Sequence, residues 1–165
     1  MELAGRFDES LVPQKTGKTT LAGLKRDSVI TFVGIGDVHY ENKGCDLKGL
    51  RRTIEFIKNR ENCFAFGMGD NLDGIGRGDK RYHGGLNRTE FASEESLWQD
   101  ASRALAQEFK PIADKLVLIL DGNHDKTVAA RLQFNTTKYI IDELNQRLVS
   151  EKTPPSDARI HLDRL

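Results

Sequence analysis

The chain has 165 residues, of which 38% are hydrophobic and 30% charged, the size and composition of one globular domain. Lys and Arg together number 25, as do Asp and Glu, so the net charge of zero excludes nucleic-acid binding driven by overall charge. The longest apolar runs are too short to span a bilayer, and the N-terminus lacks the apolar stretch of a secretory signal. We therefore expect a cytoplasmic protein with no membrane contact.

Residues 1–27 are polar and show no clear period, which predicts a flexible N-terminal arm ahead of a domain over residues 28–165. Within this arm, "TGKTT" at 16–20 is similar to the end of a phosphate-binding P-loop. A P-loop has a glycine five positions before its Gly-Lys pair, where this chain has Val12. It also follows a strand, whereas the strong strand pattern comes later here. We therefore do not expect a nucleotide-binding P-loop.

Three apolar runs follow the arm. They read "SVITFVGIGD" (28–37), "CFAFGMGD" (63–70) and "KLVLILD" (115–121). Runs of this length, rich in β-branched and aromatic residues, are typical of strands buried on both faces of a parallel sheet. Because helical patterns separate them, the order strand–helix–strand–helix–strand–helix predicts an α/β fold with a parallel sheet and flanking helices.

The first helix is expected to be capped by Asp46 and to extend to about Arg60. Its inner face would carry Leu47, Leu50, Ile54 and Ile57, which recur at helical spacing. The second helix is expected to begin after a cap at Ser93, with Glu94 and Glu95 in its first turn, and to end before Pro111. Its inner face would carry Leu97, Ala101, Ala104 and Leu105.

A single helix is expected after the third strand, ending where "TPPSD" begins at residue 153. Its apolar residues are Ile140, Ile141, Leu144 and Leu148. The final residues, "ARIHLDRL" at 158–165, alternate apolar and polar side chains and predict the start of another strand.

The two cysteines are expected to be free thiols. Cys45 would follow the carboxyl end of one strand, and Cys63 would open the next strand at the opposite edge of the sheet. Strands of five or six residues hold these edges roughly 17–20 Å apart. A disulfide requires Cα atoms within about 7 Å.

Polar side chains follow each of the three predicted strands. The strand ends read "GIGDVHY", "GMGDNLD" and "LDGNHDK", and in a parallel sheet all three lie along one edge, where ligand sites gather. The polar residues placed there are Asp37, His39, Asp70, Asp73, Asn123, His124 and Asp125. So many carboxylates repel one another unless a cation neutralises them. Imidazole, carboxylate and amide oxygen together suit a metal such as Mn, Fe or Zn.

These motifs resemble those of the calcineurin-like metallophosphoesterase superfamily. The matching residues are Gly36-Asp37-Val38-His39, Gly69-Asp70-Asn71-Leu72-Asp73 and Gly122-Asn123-His124-Asp125, in the order in which the family carries them. The resemblance covers roughly residues 28–130. It implies a four-layer αββα sandwich, two packed sheets flanked by helices, of which this chain would form the first half.

The resemblance also implies a site with two divalent metal ions, most often Mn, with Fe or Zn as alternatives. Asp37 and His39 would bind the first ion, Asp70 would bridge both, and Asn123 would bind the second through its amide oxygen.

His124 would then act on the substrate phosphate without binding metal, as proton donor to the leaving oxygen or as stabiliser. Asp73 would orient it and raise its basicity. From the residues alone, Asp73 is alternatively a turn residue, Asp121 is expected in a turn, and Asp125 is expected to be a helix N-cap.

The family completes its site with later motifs, a lone His and a Gly-His-x-His element, which this chain does not contain. Its four histidines are His39, His83, His124 and His161, whereas a full site uses five. The sequence is therefore expected to be part of a longer phosphoesterase, or alternatively a degenerate member that binds one metal or none.

The residues beside the motifs bear on the substrate. Tyr40 follows the first motif and Gly74-Ile75 the second, which argues against the protein Ser/Thr phosphatase branch, where Gly and Arg-Gly stand in these places. The loop 74–92 should overhang the metals. Its proposed substrate-binding cations are Arg77, Lys80, Arg81 and Arg88, with Tyr82 among them to stack on a base. Such a loop could grip a nucleic-acid backbone. The alternative is a solvated, flexible loop.

Two classes of function follow. The first is a metal-dependent phosphoesterase that cleaves phosphomonoesters or phosphodiesters, possibly of nucleic acid, through a water activated by two metals. The second is a non-catalytic module that binds phosphate or a partner through a decayed site. The sequence does not indicate an oligomeric state.

Overall fold

A computed structural model describes residues 27–76, 79–83, 86–91 and 96–150, with side chains up to residue 146. The predicted N-terminal arm, apart from Asp27, and the predicted strand at 158–165 lie outside the described residues.

The centre of the fold is a parallel sheet of three strands in the order β1-β2-β3. The strands are β1 (Thr31–Ile35), β2 (Cys63–Gly67) and β3 (Leu116–Ile119). Thr31 pairs with Cys63 and Ile35 with Gly67. The predicted α/β fold with a parallel sheet and flanking helices is confirmed, although each strand is shorter than its apolar run and ends before its polar motif.

Four helices accompany the sheet: α1 (Leu47–Lys58), α2 (Leu97–Phe109), α3 (Asn123–Leu132) and α4 (Thr136–Ser150). The cap of α1 is confirmed, because Asp46 Oδ1 accepts a hydrogen bond from Gly49 N at 2.9 Å. Helix α2 begins at Leu97, directly after Ser96 and later than predicted; Ser93 lies outside the described residues. Short 3₁₀ turns lie at Thr89–Phe91 and Lys110–Ile112.

The prediction of one helix after the third strand was wrong, because the chain forms α3 and α4 there. Gln133 adopts a left-handed backbone with φ 53° and ends α3. Asn135 Oδ1 then accepts from Lys138 N at 2.6 Å, which caps the start of α4. This break lets α4 pack against α2, with Ile140 and Leu144 fully buried.

The core lies between the helices and one face of β2. This face carries Cys63, Ala65 and Gly67, which are buried. The other face carries Phe64 and Phe66, which are half-buried. The prediction that every strand is buried on both faces was wrong for β1, which lies at the edge of the described sheet: Phe32 is 53% exposed. Helices therefore cover only part of the sheet surface.

The prediction of free thiols is confirmed, with Cys45 half-buried and Cys63 buried. Among the described residues, no helix combines the length and apolar character needed to cross a membrane.

Candidate metal centre

The segments that follow β1 and β2 are joined by backbone hydrogen bonds beyond the ends of the strands. Asp37 N donates to Gly69 O at 3.2 Å, His39 N to Asp70 O at 3.1 Å, and Tyr40 N to Asn71 O at 3.0 Å. The first motif therefore continues alongside the second, and the two remain at one edge of the sheet.

Backbone conformation marks these motifs. Asp37, His39 and Asp70 have positive φ angles of 50°, 46° and 52°, and among the described residues other than glycine only Gln133 shares this conformation. The left-handed region costs an L-residue about 1–2 kcal/mol and is concentrated at functional sites. Three of the four residues predicted to bind metal thus have a backbone held in place by its surroundings.

The third motif reaches the second through a contact between glycines. A Cβ atom on Gly69 would lie 2.5 Å from Gly122 N, and one on Gly122 would lie 2.0 Å from Asp70 Oδ1. This approach brings the start of α3 to the Asp70 carboxylate, which accepts from His124 N at 3.0 Å. A carboxylate at a helix N-terminus is electrostatically favourable.

His39, Asp70 and His124 form a cluster in which one ligand atom from each residue lies within 4.8 Å of the others. The two imidazole rings meet edge to face, with centroids 4.8 Å apart. Ligand atoms bound to one ion at about 2.0–2.2 Å lie roughly 3–4 Å apart, so small adjustments suffice for these three side chains to share an ion.

Asp73 lies between the two imidazoles. Its buried carboxylate places Oδ1 3.3 Å from His39 Nδ1 and 3.4 Å from His124 Nδ1, while Oδ2 accepts from Asn42 Nδ2 at 2.7 Å. His124 Nδ1 also hydrogen-bonds the Asp73 carbonyl oxygen. His39 Nδ1 is buried without a well-aligned hydrogen bond. With Nδ1 facing Asp73, His124 keeps Nε2 for a ligand or substrate.

Asp37 and Asn123, the other two predicted metal ligands, lie outside this three-residue cluster. The Asp37 side chain is 84% exposed, and its Oδ1 is 3.8 Å from His39 Nε2. Asn123 is exposed at the first position of α3, where its carbonyl oxygen accepts from the Thr127 hydroxyl at 2.8 Å. The structure therefore brings His39 and Asp70 of the predicted ligand set together with His124, and Asp37 lies next to His39.

Asp125 is buried and is not the helix N-cap that was predicted, since Gly122 occupies that position and Asp125 lies in the first turn of α3. Its carboxylate accepts from Gly122 N at 3.0 Å, Asn71 N at 3.1 Å and Leu72 N at 3.4 Å. The Thr136 hydroxyl also donates to it, at 3.1 Å. Asp125 thus links the second and third motifs. Its carboxylate is buried beside the second motif, so it accepts from the backbone there as well as from the start of its own helix.

Glu41 is a fully buried carboxylate that the sequence analysis missed. It accepts from Asp73 N at 2.9 Å and from Gly74 N at 3.1 Å. Burial raises its pKa to about 7, because the charged form loses water, while the donated amides of Asp73 and Gly74 act in the opposite direction. No spacing rule selects Glu41, since its partners are 32 and 33 residues away.

The proposed substrate-binding cations have different surroundings. Arg77 lies outside the described residues, and Lys80 is exposed. Arg81 binds Asp79 through Nε at 3.0 Å and Nη2 at 2.9 Å. Arg88 is 14% exposed, pairs with Glu90 at 3.2 Å and stacks on the Tyr40 ring.

The loop is also attached to the rest of the fold. The Asp79 carboxylate accepts from Arg131 Nη1 of α3 at 3.0 Å, and the Arg81 guanidinium beside it holds the pKa of Asp79 well below its usual range. Lys43 N donates to Leu86 O at 3.1 Å and Arg88 N to Glu41 O at 2.9 Å. These contacts fix both the middle of the loop and its return toward the first motif.

A cavity of about 230 Å³ opens beside Asp37, between β1 and the start of α1. Its polar lining includes the carboxylates of Asp37 and Asp46 and the Thr53 hydroxyl, and its lining residues include no Lys, Arg or His.

No protein-family model, curated protein or solved structure matches this chain. The resemblance to metallophosphoesterases therefore rests on the three sequence motifs alone.

Proposed function

We propose that this protein is a metal-dependent phosphoesterase, a hydrolase of phosphomonoester or phosphodiester bonds, built on the first half of a metallophosphoesterase sandwich. The observation that carries the proposal is the convergence of His39, Asp70 and His124, with the Asp73 carboxylate between the two imidazoles. Their motifs also carry the left-handed backbone seen at Asp37, His39 and Asp70.

The residues present fit a divalent metal ion. Imidazole and carboxylate are donors suited to Mn, Fe or Zn, and an ion would offset the repulsion among the carboxylates at this edge of the sheet. Asp37, His39 and Asp70 would hold the first ion, and Asp70 and Asn123 would hold the second. When bound, such ions supply the charge that stabilises phosphoryl oxygens and lowers the pKa of water.

The chain's own residues supply the proton transfer. His124 Nδ1 faces Asp73, so its Nε2 is the nitrogen that can give a proton to the departing oxygen. The Asp73 carbonyl oxygen, which hydrogen-bonds Nδ1, and the nearby Asp73 carboxylate fix the orientation of the ring.

The cavity beside Asp37 offers a substrate no cation, because no Lys, Arg or His lines it. Lys80 is exposed on the loop 74–92, where it could contact a nucleic-acid backbone.

Manganese binding and hydrolysis of bis(para-nitrophenyl) phosphate test the proposal. The wild type should bind Mn²⁺ and hydrolyse the diester, whereas Asp70→Asn should lose both activities. Asp142→Asn changes a half-exposed carboxylate on α4 that pairs with Lys138 and should leave both unchanged. Metal binding without hydrolysis of the diester or of para-nitrophenyl phosphate would instead favour a non-catalytic phosphate-binding module. Failure to bind any divalent metal would reject the site.

A further inference from the structure

Four successive backbone N–H groups in the segment after β2 donate to two buried carboxylates. Asp125 accepts from Asn71 and Leu72, at 3.1 and 3.4 Å. Glu41 accepts from Asp73 and Gly74, at 2.9 and 3.1 Å. The segment that carries Asp73 is therefore held by Glu41, two residues after the first motif, and by Asp125 of α3.

Glu41 binds the part of this segment that contains Asp73, the residue next to both imidazoles of the candidate metal centre. It binds the backbone of Asp73, while the adjacent Asn42 holds the Asp73 side chain through Nδ2 and Oδ2 at 2.7 Å. With its backbone N–H and Oδ2 both hydrogen-bonded, Asp73 places Oδ1 between His39 Nδ1 and His124 Nδ1.

We propose that Glu41 is a positioning residue of this centre: it fixes the Asp73 backbone and thereby the orientation of both imidazoles. The inference rests on the proposed function, because it assigns Glu41 to the same site. Glu41 reaches no substrate or metal itself, since it is fully buried and its contacts are to the amides of Asp73 and Gly74. Partners that orient metal-binding histidines typically alter metal affinity about 10–100-fold when they are lost.

Two substitutions separate positioning from general packing. Glu41→Gln keeps an acceptor oxygen for the amides of Asp73 and Gly74, and Glu41→Leu keeps none at similar volume. Leu144→Ala, in the α2–α4 core, is the control for lost stability alone. The readouts are amide hydrogen exchange in the metal-free protein, the Mn²⁺ dissociation constant by calorimetry, and kcat and KM for bis(para-nitrophenyl) phosphate.

In Glu41→Leu we expect the amides of Asp73 and Gly74 to exchange at least about tenfold faster, while those of Asn71 and Leu72 stay protected by Asp125. The Mn²⁺ dissociation constant should rise about 10–100-fold, and kcat should fall more than KM rises. Glu41→Gln should stay within about threefold of wild type in each readout, and Leu144→Ala should change stability without these effects.

Unchanged amide exchange and unchanged Mn²⁺ affinity in Glu41→Leu would overturn the inference. It would also be overturned if Leu144→Ala, at the same loss of stability as Glu41→Leu, changed amide exchange and Mn²⁺ affinity to the same extent. If Glu41→Leu does not fold, Glu41→Asp, whose shorter side chain cannot reach both amides, must show the same losses. A wild type that binds no Mn²⁺ would reject the proposed function, and amide exchange alone would then decide whether Glu41 fixes Asp73.

Discussion

At the scale of single residues, the unusual features of this protein coincide at the sheet edge. Left-handed backbone at Asp37, His39 and Asp70 and complete burial of Glu41 each cost stability. Such costs persist where surrounding contacts enforce them, and here those contacts are the backbone bonds between the first two motifs. The residues assigned to the proposed site are thus also those where the fold holds a costly conformation or a buried charge.

The roles of His124 and Asp70 can be separated by substitution. We expect His124→Ala to lower turnover about 10²–10⁴-fold while the protein keeps its metal, because the imidazole then serves proton transfer and not metal binding. Asp70→Asn should lose turnover and metal together. Metal content by elemental analysis, measured beside kcat, distinguishes the two variants.

His124 lies close to His39 and Asp70, so the contrary outcome is that His124 itself binds the metal. If His124→Ala releases metal to the same extent as Asp70→Asn, then His124 is a ligand and its assignment as proton donor is wrong. His83→Ala, in the exposed loop, is the matched histidine control and should leave metal content unchanged.

At the scale of elements, the position of helix α3 depends on its N-cap, Gly122, which has no side chain and so can approach Asp70 closely. Gly122→Ala would put a Cβ atom 2.0 Å from Asp70 Oδ1 and 2.2 Å from Asp70 N, so α3 must move away from the second motif. We expect a loss of about 1–3 kcal/mol in the free energy of unfolding. The Mn²⁺ dissociation constant should rise at least about tenfold as well.

Gly44→Ala is the control for this change, because its Cβ atom would meet only Asn42 Oδ1, at 3.3 Å. Denaturant unfolding and calorimetry on both variants make the comparison. Equal metal affinity in Gly122→Ala and wild type would mean that the approach of α3 does not shape the site.

An ion pair between Arg51 of α1 and Glu108 of α2 makes the stability of the fold depend on pH. Arg51 Nη2 lies 2.6 Å from Glu108 Oε1, and the Tyr40 hydroxyl donates to the same oxygen at 3.2 Å. The hydrogen bonds from Arg51 lower the pKa of Glu108 below its usual 4.5. A lowered pKa means that the carboxylate stabilises the fold above the unfolded-state pKa and that this contribution is lost as the pH falls through the folded-state value.

We therefore expect Glu108→Gln to be less stable than wild type at neutral pH, and the difference to shrink as the pH falls from about 5 to 3. Urea unfolding at several pH values measures it. Glu55→Gln, in an exposed pair with Lys58, should show little difference at any pH. A constant difference between Glu108→Gln and wild type would show that packing, and not charge, is responsible.

The loop 74–92 gives a prediction about nucleic acid. If it grips a phosphodiester backbone, replacing Arg77, Lys80, Arg81 and Arg88 with Ala should weaken oligonucleotide binding equally for all sequences and flatten its salt dependence. Among single changes, Lys80→Ala should lower affinity without lowering stability, because Lys80 is exposed. Arg88→Ala should lower stability instead, because Arg88 is packed on Tyr40.

Fluorescence anisotropy at several salt concentrations tests this prediction, with thermal unfolding as the measure of stability. No binding by the wild type, or equal binding by wild type and Lys80→Ala, would leave the loop as a solvated connection.

At the scale of the whole molecule, a chain of zero net charge concentrates carboxylates at one edge of its sheet. A bound cation should therefore stabilise the fold. At an Mn²⁺ concentration about a hundredfold above the dissociation constant, the free energy of unfolding should rise by about 2.7 kcal/mol. Thermal unfolding with and without Mn²⁺ measures the gain, and Asp70→Asn should show none; an equal gain in this variant would place the cation elsewhere.

Much of the fold could be read from the sequence. Apolar runs predicted three strands of a parallel sheet, and helical spacing with a capping Asp46 predicted the ends of α1 to within two residues. Both signals are local, since each depends on neighbours within one helical turn or one strand. Because parallel strands end at one edge, the motifs also predicted that His39, Asp70 and His124 lie along a single edge, where they form a cluster.

What only the tertiary structure decided depends on distant contacts. The division between α3 and α4, the exposed face of β1 and the burial of Arg88 follow from which surfaces pack together. Glu41 and Asp125 bind amides that are 32 to 54 residues away, so no periodicity in the chain reveals them. The sequence by itself determined the strands and the polar residues at their ends. Packing determined how these residues are held, because burial and hydrogen bonding at this edge join segments far apart in the chain.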